Sequence, residues 1–177
     1  MGVKGSIGVT VHLETAEVTS PLGTWALVAS PEGLCRLSFE ADWDAVSLKL
    51  TRRFGGPVSL RDAKDPAGAV GALRSYFAGE LRAIDALPVD PGGTDFQREV
   101  WAALRRIRPG RTTSYGELAA RIGRPAAVRA VGAATGANPV AVVIPCHRVI
   151  GKDGSLTGYG GGLPTKAWLL RHEGALF

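Results

Sequence analysis

The sequence predicts a mixed α/β (α+β) chain in two parts: a small N-terminal antiparallel sheet with helices, then a mostly helical C-terminal domain carrying a helix-turn-helix. Three observations predict it. Short apolar runs punctuated by turn residues fill the first half, helical spacing dominates the second, and the charge balance changes sign between them. Residues 1–91 hold nine Lys/Arg and eleven Asp/Glu, whereas residues 92–177 hold twelve and five, so the balance passes from −2 to +7. A chain of 177 residues suffices for one ordinary domain or two small ones around a real core.

Val18–Ser20, Gly23–Ala29 and Leu34–Phe39 read as strands of a meander, separated by the turn signals Pro21-Leu22-Gly23 and Ser30-Pro31-Glu32-Gly33. Ala41–Phe54 reads as a helix stopped by Gly55-Gly56-Pro57, and Pro66–Leu81 as a second. Leu87–Thr94, with Pro88, Pro91, Gly92 and Gly93, is the expected linker, which divides the chain into domains 1–91 and 92–177. Beyond it, Phe96, Val100, Trp101, Leu104 and Ile107 recur at helical spacing over Asp95–Ile107. Ser114 with Glu117 three residues on is a capping-box pattern, opening a short helix to about Ile122 that Gly123 stops. Pro125 in a first-turn position opens the next helix, to about Thr135, and the pair makes a helix-turn-helix. Thr165–Glu173 is a final helix stopped by Gly174.

Composition bounds the function. At 45% apolar and 21% charged, the chain reads as a soluble globular protein. No apolar run approaches the roughly 20 residues needed to span a membrane, and Met1–Ser20 lacks the cationic start and apolar core of a secretory signal. The two cysteines, Cys35 and Cys146, make no disulfide framework and fit a reducing, cytoplasmic compartment. With only His12, His147 and His172 beside them, a structural zinc site is not expected.

Between Arg105 and Arg129 stand seven arginines (Arg105, Arg106, Arg108, Arg111, Arg121, Arg124 and Arg129) against one acid, Glu117. Planar, permanently charged guanidinium groups suit phosphate recognition, and beside a helix-turn-helix they point to DNA; a merely solvated basic face is the bland alternative. The second helix carries Ala126, Ala127, Ala130, Gly132, Ala133 and Ala134, and only one long polar side chain, Arg129. A helix reading base edges in the major groove needs more such side chains. Small residues instead permit close backbone approach, either to another helix or to a minor groove, with Arg129 entering the base stack as proteins that extrude a base require.

The segment Asn138–Ile150 is the most informative. Val140–Ile144 is an apolar, β-branched run expected to be buried, and Pro145 breaks it just before Cys146-His147. A thiol is nucleophilic as thiolate, so it needs a base or a positive charge nearby, and His147 is the candidate. Neighbouring side chains in extended backbone point to opposite faces. Contact therefore needs a turn, or a bridging water, and a structural Cys beside an unrelated His stays open. Gly158-Tyr159-Gly160-Gly161-Gly162 is a close-approach loop suited to wall a pocket, without phosphate-loop spacing. Glu173 falls in the last turn of its helix, where the macrodipole disfavours an anion, so it either orients a histidine or is simply solvated.

These residues resemble the O6-alkylguanine-DNA alkyltransferases, or methylated-DNA–protein-cysteine methyltransferases. Ile144-Pro145-Cys146-His147-Arg148-Val149 is similar to the family's active-site signature. It is supported in order by Thr113-Ser114-Tyr115-Gly116, Arg129-Ala130-Val131-Gly132, Asn138-Pro139, Gly158-Tyr159, Gly161-Gly162-Leu163, Trp168-Leu169-Leu170 and His172-Glu173-Gly174. The resemblance covers residues 95–174; the first half resembles the family's variable N-terminal domain only in length and pattern. It implies that Cys146 accepts an alkyl group from O6 of guanine in double-stranded DNA, once and irreversibly, with no cofactor and no metal. It implies that His147 takes the thiol proton through a water, that Glu173 orients His147, and that Asn138 stabilises the turn. Tyr115 would donate to the departing guanine. Arg129 would replace the flipped base, with Ala127, Ala130, Tyr115 and Arg124 on DNA. Tyr159, Gly160 and the Val149 carbonyl would line the base pocket. Gly160 stands where some relatives have serine, which removes side-chain contacts there, and O4-alkylthymine is a substrate implied by some relatives.

Three rivals remain at the level of sequence: a non-catalytic sensor of alkylated bases, a helix-turn-helix regulator, and a thiol hydrolase built on Cys146, His147 and Glu173. The sensor relatives lack the acceptor cysteine, the Ala-rich helix has little with which to read bases, and a hydrolase leaves Arg129 unexplained. No coiled-coil seam is visible, so a monomer is expected.

Overall fold

The computed structural model describes residues 9–39 and 43–176. Strands β1 (Val11–Ser20), β2 (Gly23–Ser30) and β3 (Gly33–Phe39) form the antiparallel meander through two tight turns at Pro21-Leu22 and Pro31-Glu32. Strand β1 begins seven residues before the predicted Val18. Its first part buries Leu13 and Thr15, but the exposed His12, Glu14 and Glu17 around them hide the pattern. A fourth strand, β4 (Val58–Asp62), lies parallel to β1, giving the order β3-β2-β1-β4; the sheet is therefore mixed rather than purely antiparallel. Helix α1 (Trp43–Phe54) makes the crossover such a parallel pair needs; the predicted start at Ala41 lies outside the described residues.

The sheet is covered on both faces. Val46 and Leu50 of α1 pack with Leu13, Val28 and Cys35 on one side. On the other, Val18, Trp25, Leu27 and Leu37 share one core with α2 (Ala69–Phe77) and with Val100, Val140, Ile144 and Leu169 of the second half. Each large side chain so buried contributes about 1.5–3 kcal/mol. The predicted helix Pro66–Leu81 is shorter: a 3₁₀ turn at Pro66–Gly68 precedes α2, and the chain unwinds through turns after Phe77 and Gly79.

The Pro/Gly-rich stretch after Leu87 is strapped along the free edge of β3. Leu34 N–H donates to Pro88, Asp90 N–H donates back to Leu34, and Asp90 is gripped by Ser30 at 2.7 Å and by Arg53. Helix α3 (Asp95–Arg105) starts on a capping box of Thr94 and Gln97 and ends two residues before the predicted Ile107. Arg105 then donates to the carbonyls of Asp85 and Leu87, at 2.8 and 2.9 Å, fastening the helix end to the strap. No helix is long and apolar enough to cross a membrane among the described residues.

Helix α4 (Tyr115–Arg121) carries the Ser114/Glu117 capping box as predicted. Helix α5 (Val128–Gly136) starts three residues later than predicted, because Arg124–Ala127 closes as a separate turn, with Ala127 N–H on the Arg124 carbonyl, and Ala127 leaves helical geometry. Trp101 Nε1–H donates to the Ala134 carbonyl at 2.8 Å and so locks α5 to α3. The last helix, α6 (Leu163–His172), begins two residues earlier than predicted, with Pro164 in its first turn. Glu173 is its C-cap, and Gly174 comes next at φ +73°, the left-handed turn in which its N–H reaches the Arg171 carbonyl.

Candidate active site

Two short pieces, β5 (Thr113–Ser114) and β6 (Val149–Ile150), pair in parallel and tie the start of α4 to the chain just after Cys146. Residues 140–146 form a chain of tight turns leading into β6. The β-branched composition suggests extended backbone, yet Val143 N–H reaches back to Ala141, Ile144 to Val140 and Cys146 to Ile144. Val142, fully buried, sits at φ +68°, a left-handed conformation that costs a β-branched residue on the order of 1–3 kcal/mol. Several bonds hold the loop there. Asn138 Nδ2–H donates to the Ile144 carbonyl at 2.7 Å while its Oδ1 accepts from Val140 N–H at 3.0 Å. Leu37 of β3 pairs with the loop from outside, donating to Pro139 and accepting from Ala141.

Cys146 opens a 3₁₀ turn, Cys146–Arg148. The turn separates the two side chains that the sequence sets side by side. Cys146 is half-buried and lines a cavity of about 640 Å³, whereas His147 points into the protein and is fully buried. The His147 ring does not bond the thiol among the described residues; its Nε2 lies 2.9 Å from Glu173 Oε1. Arg148 clasps the same carboxylate with both arms of its guanidinium, Nε to Oε2 and Nη2 to Oε1, each at 2.8 Å, and also donates to the Ile107 carbonyl. Tyr76 of α2 supplies a fourth donor, its hydroxyl 2.7 Å from Glu173 Oε1.

Burial and charge set the protonation states of these groups. Burial drives the Glu173 carboxyl up, but the hydrogen bonds from His147 and Arg148 and the Arg148 charge outweigh it, and the net shift is downward. Burial lowers His147 against the opposing pull of Glu173, so the imidazole is neutral; Arg148 is the cation that keeps the carboxylate ionised. An ionised carboxylate only accepts, so Nε2 must carry the ring proton and Nδ1 the lone pair. Nδ1 is buried without a hydrogen-bond partner among the described residues. Burial raises the Cys146 thiol, and a hydrogen bond from Asn138 and the charge of Lys166 oppose it. The Cys146 thiol and the His147 imidazole are therefore both neutral in the resting protein.

The cavity walls come from both halves. Tyr115, the first residue of α4, lies over Gly132 of α5, where a Cβ would stand 3.8 Å from its ring, and its hydroxyl is 3.5 Å from Thr157 Oγ1. Asn138, Tyr159 and Gly160 also line the space, with Trp25 and Phe39 of the sheet. Tyr159 presents a buried hydroxyl without a hydrogen-bond partner among the described residues, which burial holds well above its usual value. Nothing stands within 4 Å of a Cβ built on Gly160, so its backbone is open. Val149 is buried, and its carbonyl accepts from Lys166 Nζ at 2.5 Å. Arg129 is exposed on α5 beside the small residues Ala126, Ala130 and Ala133, with Ala127 partly covered at its cap. Arg124 is exposed too, but it pairs with Glu99 at 3.1 Å and lies over the Phe96 ring.

Sequence reasoning thus named Cys146, Asn138, Tyr115, Tyr159 and Gly160, which line one cavity, and His147 and Glu173, which are buried and bonded to each other; Val149, named for the same pocket, is buried and stands outside its lining. It missed three groups. Arg148 stood inside the signature motif without a role. Lys166 is a fully buried lysine, bonded at 2.5 Å to the carbonyls of Val149 and Thr157; its place on the inward stripe of α6 was the available signal. Tyr76 reads in sequence as one more aromatic core residue.

The comparisons with known proteins agree with this architecture. Family models described as the ribonuclease-like domain and the DNA binding domain of 6-O-methylguanine DNA methyltransferase match residues 15–91 and 95–175. A methylated-DNA–protein-cysteine methyltransferase of Salmonella typhimurium is 60% identical over 169 residues, 94% of this chain and 98% of that one. One from Mycobacterium bovis is 57% identical over 166 residues, 92% of each. Among solved structures, a Mycobacterium tuberculosis OGT in complex with DNA superposes with a TM-score of 0.72 at 42% identity, over 93% of this chain and 94% of that one. The O6-methylguanine-DNA methyltransferase of Pyrococcus kodakaraensis gives 0.67 at 25% identity, over 92% and 99%. With both halves matched and relatives aligned nearly end to end, this chain belongs to the methylated-DNA–protein-cysteine methyltransferase family.

Proposed function

We propose that the protein repairs DNA by transferring an alkyl group from O6 of guanine onto Cys146, irreversibly and once per molecule. The observation that carries this reading is the half-buried thiol on the cavity wall, followed in the chain by a buried imidazole that Glu173 holds in one tautomer and whose Nδ1 has no hydrogen-bond partner among the described residues. A water relays the Cys146 proton to Nδ1. The thiolate attacks the alkyl carbon in line, the carbon–O6 bond breaks, and the electron pair leaves on guanine, which the Tyr115 hydroxyl meets with a hydrogen bond or proton. The product is a thioether that water does not cleave. Asn138 holds the turn that presents the thiol, and Tyr159, the Gly160 N–H and the backbone carbonyls of Cys146 and Val149 receive the base.

The small-residue face of α5 suits close approach to a minor groove, with Arg129 filling the place of the flipped nucleotide and Ala127, Ala130, Tyr115 and Arg124 on the flanking backbone. Residues 1–91 support the site and 92–177 bind DNA and react. The protein works as a monomer in the cytoplasm, a reducing compartment that suits its two free thiols. No cofactor enters the reaction, and O4-alkylthymine is a second substrate of the same chemistry.

Intact mass after mixing with excess duplex containing O6-methylguanine, together with peptide mapping, tests this. One methyl per chain, on Cys146, is expected and does not increase with more substrate. Unchanged mass with damage-selective binding would make the protein a sensor of alkylated bases instead.

A further inference from the structure

The Glu173 carboxylate is shared between the two halves of the chain. Its Oε1 accepts from His147 at 2.9 Å, from Arg148 at 2.8 Å and, across a separation of 97 residues, from Tyr76 at 2.7 Å. Tyr76 is fully buried on α2, so this donor comes from the N-terminal half. Three contacts fix the phenol's position. Its ring meets Phe77 edge-on at 5.2 Å and His172 edge-on at 5.2 Å, and His172 Nε2 lies 2.8 Å from the Tyr76 carbonyl. His172 in turn stacks on Trp168 at 4.8 Å, so α2 is seated against the last turns of α6, where Glu173 is the cap.

We propose that Tyr76 is a positioning residue for alkyl transfer: its hydroxyl, donated from the N-terminal half, holds Glu173 Oε1 and thereby sets the orientation and basicity of His147. The inference rests on the reading of His147 as the base. A carboxylate oxygen that accepts from Tyr76 and Arg148 as well as from the imidazole has its charge divided among three donors. Remove the phenol O–H and more of that charge falls on His147 Nε2–H. The imidazolium form is then favoured, and the ring is held by one contact fewer. Among the described residues the other charged or titratable groups facing the pair are Arg148 and Lys166 as cations, with Tyr159 as a buried acid. None of them is displaced by Tyr76→Phe, which removes one oxygen and keeps the ring.

The test compares wild type, Tyr76→Phe and Leu73→Ala. Leu73 is equally buried on α2 but takes no part in the carboxylate's hydrogen bonds, and its truncation reports loss of packing alone. Single-turnover transfer rates from O6-methylguanine duplex are measured across pH. Tyr76→Phe should move the acid limb upward by about half a pH unit and lower the plateau about threefold to tenfold. Leu73→Ala should lower the melting temperature and leave the limb in place. In the protein without DNA, the His147 Nε2–H proton resonance of Tyr76→Phe should move further downfield. A Tyr76→Phe limb and resonance that superimpose on wild type, or a limb that Leu73→Ala moves equally, overturn the proposal. Wild type that transfers nothing while the resonance still moves would sink the alkyl-transfer reading and leave the Tyr76–Glu173–His147 coupling standing.

Discussion

Replacing Glu173 with Gln keeps the shape of the side chain and removes the one negative charge on which two basic side chains converge. The carboxylate accepts four hydrogen bonds, one from Tyr76, one from His147 and two from Arg148. A glutamine amide that keeps its oxygen toward Tyr76, His147 and Arg148 Nη2 turns its NH₂ onto Arg148 Nε–H, donor against donor. Turned the other way, it sets NH₂ against three donors. Either way Arg148, 3% exposed, is left as a buried cation without a counter-ion. Removing one partner of a buried pair costs about 3–5 kcal/mol, which for a chain of this length is a drop in melting temperature of about 6–20 °C. The His147 tautomer loses its anionic acceptor, and transfer at pH 7 should fall by about 100-fold, the low end of what a positioned base contributes. Calorimetry and quenched-flow transfer read the two effects separately. Adding Arg148→Met should recover part of the melting temperature, because the orphaned charge is gone, and none of the rate. A Glu173→Gln protein that melts within about 2 °C of wild type and transfers normally, thresholds set by the size of a surface substitution, would refute the reasoning.

Cys146→Ser should abolish the mass increment while duplex affinity, measured by fluorescence anisotropy, stays within about threefold, since one thiol contributes little to phosphate contacts; equal transfer by this variant would end the assignment of the acceptor. Arg129→Ala should slow transfer from duplex at least about tenfold more than transfer from the free alkylated base, because only the duplex needs the gap filled; an equal loss on both would remove the finger role. Acid should destabilise the fold in two stages whose signs agree. His147 has a lowered folded pKa, so its contribution is complete above the unfolded histidine value and fades as pH falls through that range. Glu173 is depressed as a carboxylate, so its contribution is complete above the unfolded carboxylate value and is lost on descending toward the folded one. Urea midpoints at constant salt should therefore decline from pH 7 downward, and a flat profile between pH 7 and 5 would contradict a buried neutral imidazole.

The parts of the fold legible in sequence are those with local causes. Ser114 and Glu117 announce the start of α4 because a capping box is built from residues three apart. Gly174 announces the end of α6 because only a left-handed residue closes that turn cheaply. Strand β4 was not legible, since Val58–Asp62 is short and its partner β1 is reached only through α1. Within the candidate site, Cys146, His147 and Glu173 could be singled out because the motif and the misplaced acid are visible one residue at a time. Tyr76 was not, because its hydroxyl meets Glu173 only after α2 and α6 have packed, and a buried tyrosine in an apolar helix face looks like core.

The loop before Cys146 shows the same division in energetic terms. Four of the five residues of Val140–Ile144 are β-branched, which locally favours an extended strand, yet the segment is wound into turns with Val142 on the left-handed side of φ. Local preference loses because the alternatives are worse. Unwinding the loop would break both Asn138 bonds and the two backbone bonds to Leu37, and would expose Val140, Val142 and Ile144, each buried in the core common to both halves. Those losses exceed the strain of one residue. Such conflicts between local and global preference concentrate where function constrains the chain. Here the conflict delivers one geometry: a thiol turned out to the cavity and, one residue later, a histidine turned in to its carboxylate. An extended strand would also alternate the two side chains, but it would carry them past β3 instead of stopping Cys146 at the cavity wall and His147 above α6. The N-terminal sheet, through Leu37, and α2, through Tyr76, are therefore part of what holds the reactive turn in place.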